Sequence, residues 1–145
     1  MQIKRFNELD INELYAIINL REKVFVVEQT CYYLDADYKD QESWHLMLHE
    51  GDELAGYLRI LPPGVSHEYC SIGRVVVDEN HRRKDYGKKI MKEAISFLHE
   101  KFPGQTIKIS AQLYLNEFYK SLGFKNIGEV YLEDNIDHIA MILES

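Results

Sequence analysis

The sequence predicts an α+β fold in which helices lie on both faces of a mixed sheet, an α/β/α sandwich. Two observations lead to this fold class. Segments with strand periodicity and segments with helical periodicity both occur along the chain. Their order is strand, helix, a run of strands, helix, strand, helix and a closing pair of strands, which distributes the helices over both sides of the sheet.

Composition indicates one globular domain, spanning residues 1–145. Hydrophobic residues make up 46% of the 145 and charged residues 28%. No apolar run approaches the ~20 residues of a membrane helix, and the start lacks the apolar stretch of a signal peptide. The cytoplasm is therefore the expected location, with no membrane partner. Two cysteines are too few for a disulfide scaffold. Whether the chain is a monomer or a homodimer is left open.

The first half of the chain predicts one helix and a hairpin. The segments are a strand at 2–6, a helix from Asp10 as N-cap to about residue 25, an acidic, solvated loop or short helix at 32–42, and paired strands at 44–49 and 54–61.

The second half predicts strands that alternate with helices and then a closing pair. The segments are a β-branched central strand at 71–77, a helix at 85–101, a strand at 106–111, a short helix at 115–122, and strands at 124–132 and 136–143.

Charge argues against a nucleic-acid partner. The net charge is −7 and the pI is about 5.3, so the chain as a whole repels nucleic-acid phosphates. Basic residues nevertheless cluster locally at Arg82, Arg83, Lys84 and Lys88. A small basic patch on an acidic protein suits a small polyanion better than a duplex.

The junction between the central strand and the helix at 85–101 is a candidate phosphate site. The first amides of a helix have no intrahelical partners and lie at the positive end of its dipole, which favours phosphate. Gly87 permits close approach of the backbone. The alternative is a solvated basic helix start.

At this junction the chain resembles the GNAT superfamily of N-acetyltransferases. The acetyl-CoA motif of that family, Arg/Gln-x-x-Gly-x-Gly/Ala after a hydrophobic strand, reads here Arg82-Arg83-Lys84-Asp85-Tyr86-Gly87. Asp85 replaces the middle glycine, and a carboxylate beside a pyrophosphate is electrostatically costly. Alternatively, Asp85 is the helix N-cap and its neighbours supply the amides.

The remainder of the chain extends the resemblance to the ElaA-like branch of that superfamily. Gln112 stands at the polar position that ends the next strand, and residues 118–124 match the Tyr-x-x-x-Gly-Phe pattern of the following helix. The segments 20–29 and 72–75 are also similar to that branch. The resemblance implies a GNAT-like, mostly antiparallel central sheet flanked by helices, with acetyl-CoA as co-substrate.

The resemblance also assigns roles in acetyl transfer. It places the carbonyl contact on Val75, Val76 and Val77 and the partner of the leaving thiolate at Tyr119. An ordinary tyrosine is protonated at pH 7 and can donate a hydrogen bond. The alternative for Tyr119 is packing beside its aromatic neighbours. The implied coenzyme-binding residues are Val75, Val76, Val77, Arg82, Arg83, Lys84, Asp85, Tyr86, Gly87, Lys88 and Gln112.

A base must accept the proton of the attacking amine, directly or through water. His138 on the last strand is the preferred candidate, because the ordinary pKa of histidine is about 6.5. Some family members that act on small molecules carry a histidine at the matching place. Glu28 is the competing base. The alternative for His138 is a half-exposed strand residue without a catalytic role, and the alternative for Glu28 is a surface carboxylate.

Two arginines are candidates for substrate recognition. Arg21 either complements the dipole at the end of the first helix or binds a substrate carboxylate. Arg74 lies within the central strand, on the face opposite Val75 and Val77 by alternation, and needs a partner. If both reach the site, an amino acid-like acceptor is favoured.

The sequence therefore predicts an acetyl-CoA-dependent N-acetyltransferase that acetylates a primary amine of a small molecule by direct attack in a ternary complex. The alternatives are a non-catalytic acyl-CoA sensor and an acetyltransferase of protein or peptide amines. No metal site is expected, since the acidic loop lacks the glycine and glutamate of an EF-hand.

Overall fold

A computed structural model describes residues 1–144, and every predicted strand and helix is present, with its ends either as predicted or shifted by a few residues. The elements are β1 (Gln2–Arg5), α1 (Ile11–Arg21), β2 (Trp44–Glu50), β3 (Glu53–Leu61), β4 (Ser71–Val77), α2 (Tyr86–Lys101), β5 (Ile107–Gln112), α3 (Asn116–Ser121), β6 (Lys125–Glu133) and β7 (Ile136–Leu143).

The strands form two antiparallel sheets that touch at one point. One sheet has the order β1–β2–β3–β4 and the other the order β5–β7–β6. Cys70, just before β4, forms a parallel bridge with Ile107, and the Lys108 amide donates to the Cys70 carbonyl at 2.9 Å. Beyond that bridge β4 and β5 separate, which opens a V-shaped gap. The prediction of a mixed, mostly antiparallel sheet is confirmed.

Helix α1 covers one face of the first sheet. Asp10 caps it as predicted, because its carboxylate accepts from the Glu13 amide at 2.7 Å. The Asp10 amide in turn donates to the Glu13 carboxylate at 3.0 Å. Its buried residues form a core with side chains of β2, β3 and β4. The members are Ile17, Leu20, Val24, Met47, Tyr57 and Val76.

Helix α2 covers the opposite face. Its buried residues Ile90, Met91, Ala94 and Leu98 pack into the larger core, which also receives apolar side chains from both sheets. Helices therefore lie on both faces of the sheet, and the predicted sandwich is confirmed.

Helix α1 does not end where the sequence predicts. It continues as a π-helical segment over Glu22–Glu28, with the Gln29 amide bonded to the Val24 carbonyl at 3.0 Å and the Cys31 amide to the Val26 carbonyl at 3.1 Å. Such wide turns occur often at functional sites. Here the segment brings Glu28 to the gap between the sheets.

A β-bulge interrupts β4 at Arg74. The pairing register with β3 shifts between Tyr57 and Arg59, and Arg74 has φ of 53°. Ile72 and Val75 consequently enter the same core although an odd number of positions separates them. Arg74 contacts the loop at Asp35 and Asp37, so its side chain diverges from Val75 as predicted.

Candidate active site

The gap between β4 and β5 is the centre of a cleft of about 930 Å³. It brings together most of the residues that the sequence singled out. Those that line it are Glu28, Arg74, Val75, Val76, Val77, Arg82, Arg83, Gly87, Gln112, Tyr119 and His138. The structure does not bring the others to its walls, and these are Arg21, Lys84, Asp85, Tyr86 and Lys88.

One edge of β4 presents backbone groups to the cleft. The Asp78 amide donates to the Ala55 carbonyl of β3 at 2.8 Å, so the Val77 carbonyl on the same trans peptide points away from β3. In an extended strand the N–H and C=O of one residue share a direction, and that direction alternates along the chain. The groups of Val75 and Val77 thus face the cleft, where β5 has already separated.

The loop that leads into α2 has an unusual backbone. Arg83 and Asp85 both have left-handed φ values, 67° and 60°. Glycine adopts such angles without strain, and aspartate is among the few other residues that tolerate them. The replacement of the motif glycine by Asp85 is therefore conformationally admissible.

Asp85 occupies the N-cap position of α2, but its side chain makes no capping hydrogen bond. The expectation that its carboxylate caps the helix is therefore wrong, because the left-handed backbone departs from the extended conformation of a usual N-cap. The first turn of the 16-residue helix carries no acidic residue. Its amides are left to a ligand or to water.

Arg82, predicted to bind the coenzyme, forms an ion pair with Glu28, the competing candidate for the base. Both Arg82 terminal nitrogens donate to the Glu28 carboxylate, at 2.8 and 2.9 Å, and Arg82 Nε donates to the Val77 carbonyl at 3.2 Å. These hydrogen bonds to the Glu28 carboxylate raise the pKa of Arg82. Because Arg82 engages both oxygens of Glu28, this carboxylate is poorly placed to act as the base.

Tyr119 projects from the short helix α3 into the cleft wall. It is 6% exposed and packs edge-on against Phe118 and Phe124, so the packing alternative also holds. Burial raises its pKa to about 12, with a smaller contribution from Tyr114. Among the described residues its hydroxyl has no hydrogen-bond partner. The hydroxyl is thus a protonated donor at neutral pH.

His138 lies on β7 with its tautomer set by the backbone. Nδ1 is 2.7 Å from the Ile136 carbonyl, which can only accept, so Nδ1 carries a proton. In the neutral ring Nε2 therefore retains a lone pair. Nε2 lies 3.5 Å from a Glu133 carboxylate oxygen. The Tyr131 ring stacks on the imidazole, with 6.1 Å between the ring centroids. This geometry suits a proton acceptor.

Two contacts join residues on opposite walls of the cleft. Gln112 and Gln29 exchange side-chain amide hydrogen bonds at 3.2 and 3.3 Å. The Cys31 thiol donates to the Asp134 carbonyl at 3.1 Å. Both contacts link the end of the π-helical segment to the second sheet.

A network of three arginines and three aspartates replaces the solvated loop that the sequence predicts. Arg21 donates to Asp35 at 2.7 Å and to Asp40 at 2.8 Å. The other ion pairs join Arg59 to Asp37 and Asp40, at 2.8 and 2.9 Å, and Arg74 to Asp35 and Asp37, at 2.8 and 3.4 Å.

Arg21 is consequently a structural residue. It is 2% exposed and three of its nitrogens contact the loop, so the prediction that it binds a substrate carboxylate does not agree with its position. Arg59, a member of the network, was not predicted as a site residue. The signal was a charged residue inside the apolar segment 54–61, since a buried charge requires a partner.

The network holds its groups charged. Burial alone would raise the pKa of Asp37 and of Asp40. Arg59 opposes this effect at Asp37, and Arg21 and Arg59 together oppose it at Asp40. The pKa of each carboxyl therefore lies below its ordinary value. Burial raises the pKa of Tyr33, which donates to Asp35 at 2.8 Å. The arginine charges on this wall are therefore neutralised by the protein itself.

Within residues 1–144 no group of three His, Cys, Asp or Glu side chains is arranged to hold a metal ion. None of the helices described there has the length and apolar character that crossing a bilayer requires.

Comparison with known proteins gives one consistent family. The acetyltransferase (GNAT) domain family matches residues 17–145. A UPF0039 protein of Schizosaccharomyces pombe is 43% identical over 97% of this chain and 94% of its own length. Protein ElaA of Escherichia coli is 39% identical over 95% of this chain and 92% of its own.

Solved structures agree with that match. The crystal structure of an acyl-CoA N-acyltransferase from Pseudomonas aeruginosa has a TM-score of 0.91, 37% identity and 97% coverage of both chains. An aminoglycoside 6′-N-acetyltransferase complexed with coenzyme A has the same fold at 18% identity, with a TM-score of 0.74 and coverage of 99% and 97%.

Proposed function

The chain belongs to the GNAT superfamily of acyltransferases, in its ElaA-like branch, and on that premise we propose that it is an acetyl-CoA-dependent N-acetyltransferase. The proposed reaction moves an acetyl group to a primary amine of a small molecule by direct attack in a ternary complex. The proposed catalytic domain spans residues 1–145.

One observation carries the proposal. The edge of β4 that no neighbouring strand covers and the start of α2 open into the same cleft. Tyr119, and His138 with a lone pair on Nε2 of its neutral ring, also lie on the walls of that cleft. A long coenzyme with a diphosphate, an amide-bearing arm and a thioester needs these groups in this order.

The residues fit coenzyme A. Arg83 and Gly87 line the cleft at the start of α2, where the first-turn amides and the helix dipole favour a diphosphate. A Cβ on Gly87 would lie 3.6 Å from the Phe118 ring and 4.0 Å from Val77 Cγ2. We assign the diphosphate to this loop and the amide-bearing arm to the backbone of Val75 and Val77.

Acetyl-CoA would supply an activated thioester carbonyl. The backbone N–H groups on the open edge of β4 are fixed donors for negative charge that develops on that carbonyl oxygen. We assign to Tyr119 a hydrogen bond from its hydroxyl to the departing sulfur. The raised pKa of about 12 keeps this donor protonated across the working range.

We assign the base role to His138. The Ile136 carbonyl holds its Nδ1 proton, so Nε2 accepts the amine proton and Glu133 then stabilises the imidazolium at 3.5 Å. Glu28 is the alternative base, but its carboxylate already accepts hydrogen bonds from Arg82, which disfavours that role.

An acidic group on the acceptor is not required. The amino acid-like acceptor depended on two arginines that reach the site, but Arg21 is enclosed and Arg74 already pairs with Asp35 and Asp37. A further anion would have to displace an aspartate from Arg74. We therefore propose an amine acceptor whose recognition does not rest on a carboxylate.

Initial-rate kinetics with acetyl-CoA and an amine panel test this function. The panel pairs simple amines and diamines with amino acids of matched length, and released thiol reports turnover. We expect acetylated product, intersecting rate patterns for a ternary complex and no advantage for the amino acids. Coenzyme binding without thiol release for any amine would instead favour a non-catalytic sensor.

A further inference from the structure

A cluster of charged residues behind the coenzyme loop is not used by the proposed mechanism. Glu50 ends β2 and Glu53 begins β3, and the register pairs them directly across a two-residue turn. Like charges at opposed positions destabilise a hairpin. A cation between them removes that repulsion, and His81 occupies this place.

The geometry fixes the protonation state of His81. Nδ1 lies 2.6 Å from a Glu50 oxygen and Nε2 lies 2.6 Å from a Glu53 oxygen. Ionised carboxylates only accept hydrogen bonds, so both ring nitrogens must donate. Only the imidazolium has two N–H donors, and the arrangement therefore requires a bound proton.

The same glutamate holds the far end of the loop. Lys84 Nζ contacts both oxygens of Glu50, at 2.9 and 3.1 Å, and the Tyr86 hydroxyl donates to one of them at 3.1 Å. His81 precedes the loop, whereas Lys84 and Tyr86 lie within it. Between these anchors stand the two left-handed residues Arg83 and Asp85.

We infer that His81, Glu50 and Glu53, with Lys84 and Tyr86, form a proton-dependent latch that positions the loop 82–87 for the coenzyme diphosphate. This inference rests on the proposed function, because it assumes that the loop binds a diphosphate. None of the five side chains lines the cleft, so they are positioning residues that act through the loop backbone.

The sign of the pH effect follows from the hydrogen bonds. The hydrogen bond with Glu53, followed by that with Glu50, raises the pKa of His81 above its ordinary value. The positive charge of Lys84 opposes this rise but does not cancel it. A raised pKa means that the latch is complete below about pH 6.5 and is lost as the pH rises through the folded-state value. Asp78 is a further charged neighbour, since the charge of His81 helps to lower its pKa, and Lys23 Nζ binds its carboxylate at 3.2 Å.

Titration calorimetry with dephospho-coenzyme A tests the latch, because its diphosphate does not titrate near neutrality. Between about pH 6.5 and 8.5 we expect wild-type affinity to fall by about threefold to tenfold. His81→Gln should bind at the weaker level throughout, without that slope. His49→Gln, which removes an exposed histidine of the same hairpin, should follow the wild type.

Glu53→Gln provides a second variant. It leaves the hydrogen bonds of Lys84 and Tyr86 to Glu50 in place, and the fold should persist because the Glu53 side chain is 69% exposed. This variant should also flatten the dependence of coenzyme affinity on pH. Parallel slopes in wild type and His81→Gln would overturn the latch while coenzyme binding, and with it the proposed function, still stood. No heat from the wild type at any pH would overturn the proposed function.

Discussion

At the scale of single residues, Tyr119 gives the sharpest prediction. Tyr119→Phe keeps the ring in its contacts with Phe118 and Phe124 and removes only the donor. Loss of a hydrogen bond to a charged group of about 1.5–3 kcal/mol corresponds to a fall in kcat of roughly 10- to 100-fold. Steady-state kinetics measure it, with the melting temperature as the control. An unchanged kcat would remove Tyr119 from the reaction.

His138 gives a prediction about turnover. If Nε2 accepts the amine proton, His138→Gln should reduce kcat by about 10²- to 10⁴-fold, because glutamine cannot take up that proton. Initial rates with one amine measure the effect, with the melting temperature as the control. A variant that retains the wild-type kcat would assign the proton to another group.

The residues themselves show what a sequence can predict here. Tyr119 and His138 were identified because they match a family pattern, and both line the cleft. The partners of Arg21 could not be identified, because Asp35 and Asp40 lie in a loop without periodicity and no spacing rule connects them to α1.

At the scale of elements, the loop before α2 gives a prediction about Asp85. Asp85→Gly removes a carboxylate beside the proposed diphosphate site, and glycine adopts the left-handed φ of 60° found there without strain. Coenzyme A should then bind a few-fold more tightly, by about 0.5–1 kcal/mol, because the repulsion between the two anions is lost. Calorimetry at one pH and ionic strength measures it. Asp85→Asn is the matched control, which removes the charge and keeps the strain.

If the glycine and asparagine variants improve affinity equally, charge alone explains the effect. Weaker binding in both would show that Asp85 contributes to the coenzyme site and would contradict the account of the loop given above.

Elements were largely predictable because each follows a local rule. Asp10 caps α1 through a pattern of neighbouring residues, and the β-branched run of β4 keeps its predicted bounds. The bulge at Arg74 and the π-helical continuation of α1 were not predictable. Both involve contacts between distant segments. The bulge depends on pairing with β3, and the π-helical segment packs its buried Val24 against the core beneath α1.

At the scale of the whole molecule, the arginine–aspartate network joins α1, β3, β4 and the loop, and it predicts acid sensitivity. The pKa of Asp37 and of Asp40 is lowered, so their contribution to stability is present above their ordinary pKa of about 4 and is lost as the pH falls below it. Asp37→Asn should lower stability at neutral pH by about 1–3 kcal/mol and weaken its acid dependence. Denaturant titrations at several pH values measure this. Equal losses on acidification in both proteins would contradict it.

The cleft itself is a property of the whole molecule. It exists because β4 and β5 are bridged at Cys70 and Ile107 and then diverge, a relation between segments far apart in the sequence. The resemblance implied which residues would gather there, but the enclosure of Arg21 and the bond between Arg82 and Glu28 required coordinates.

The central claim is that the gap between β4 and β5 is the coenzyme site of an acyltransferase. A crystal structure with coenzyme A tests it most directly. We predict the diphosphate on the amides that begin α2, the amide-bearing arm along Val75 and Val77, and the sulfur beside the Tyr119 hydroxyl. Coenzyme bound elsewhere, or a cleft left empty at saturating coenzyme A with Asp85 turned into the loop, would contradict the claim.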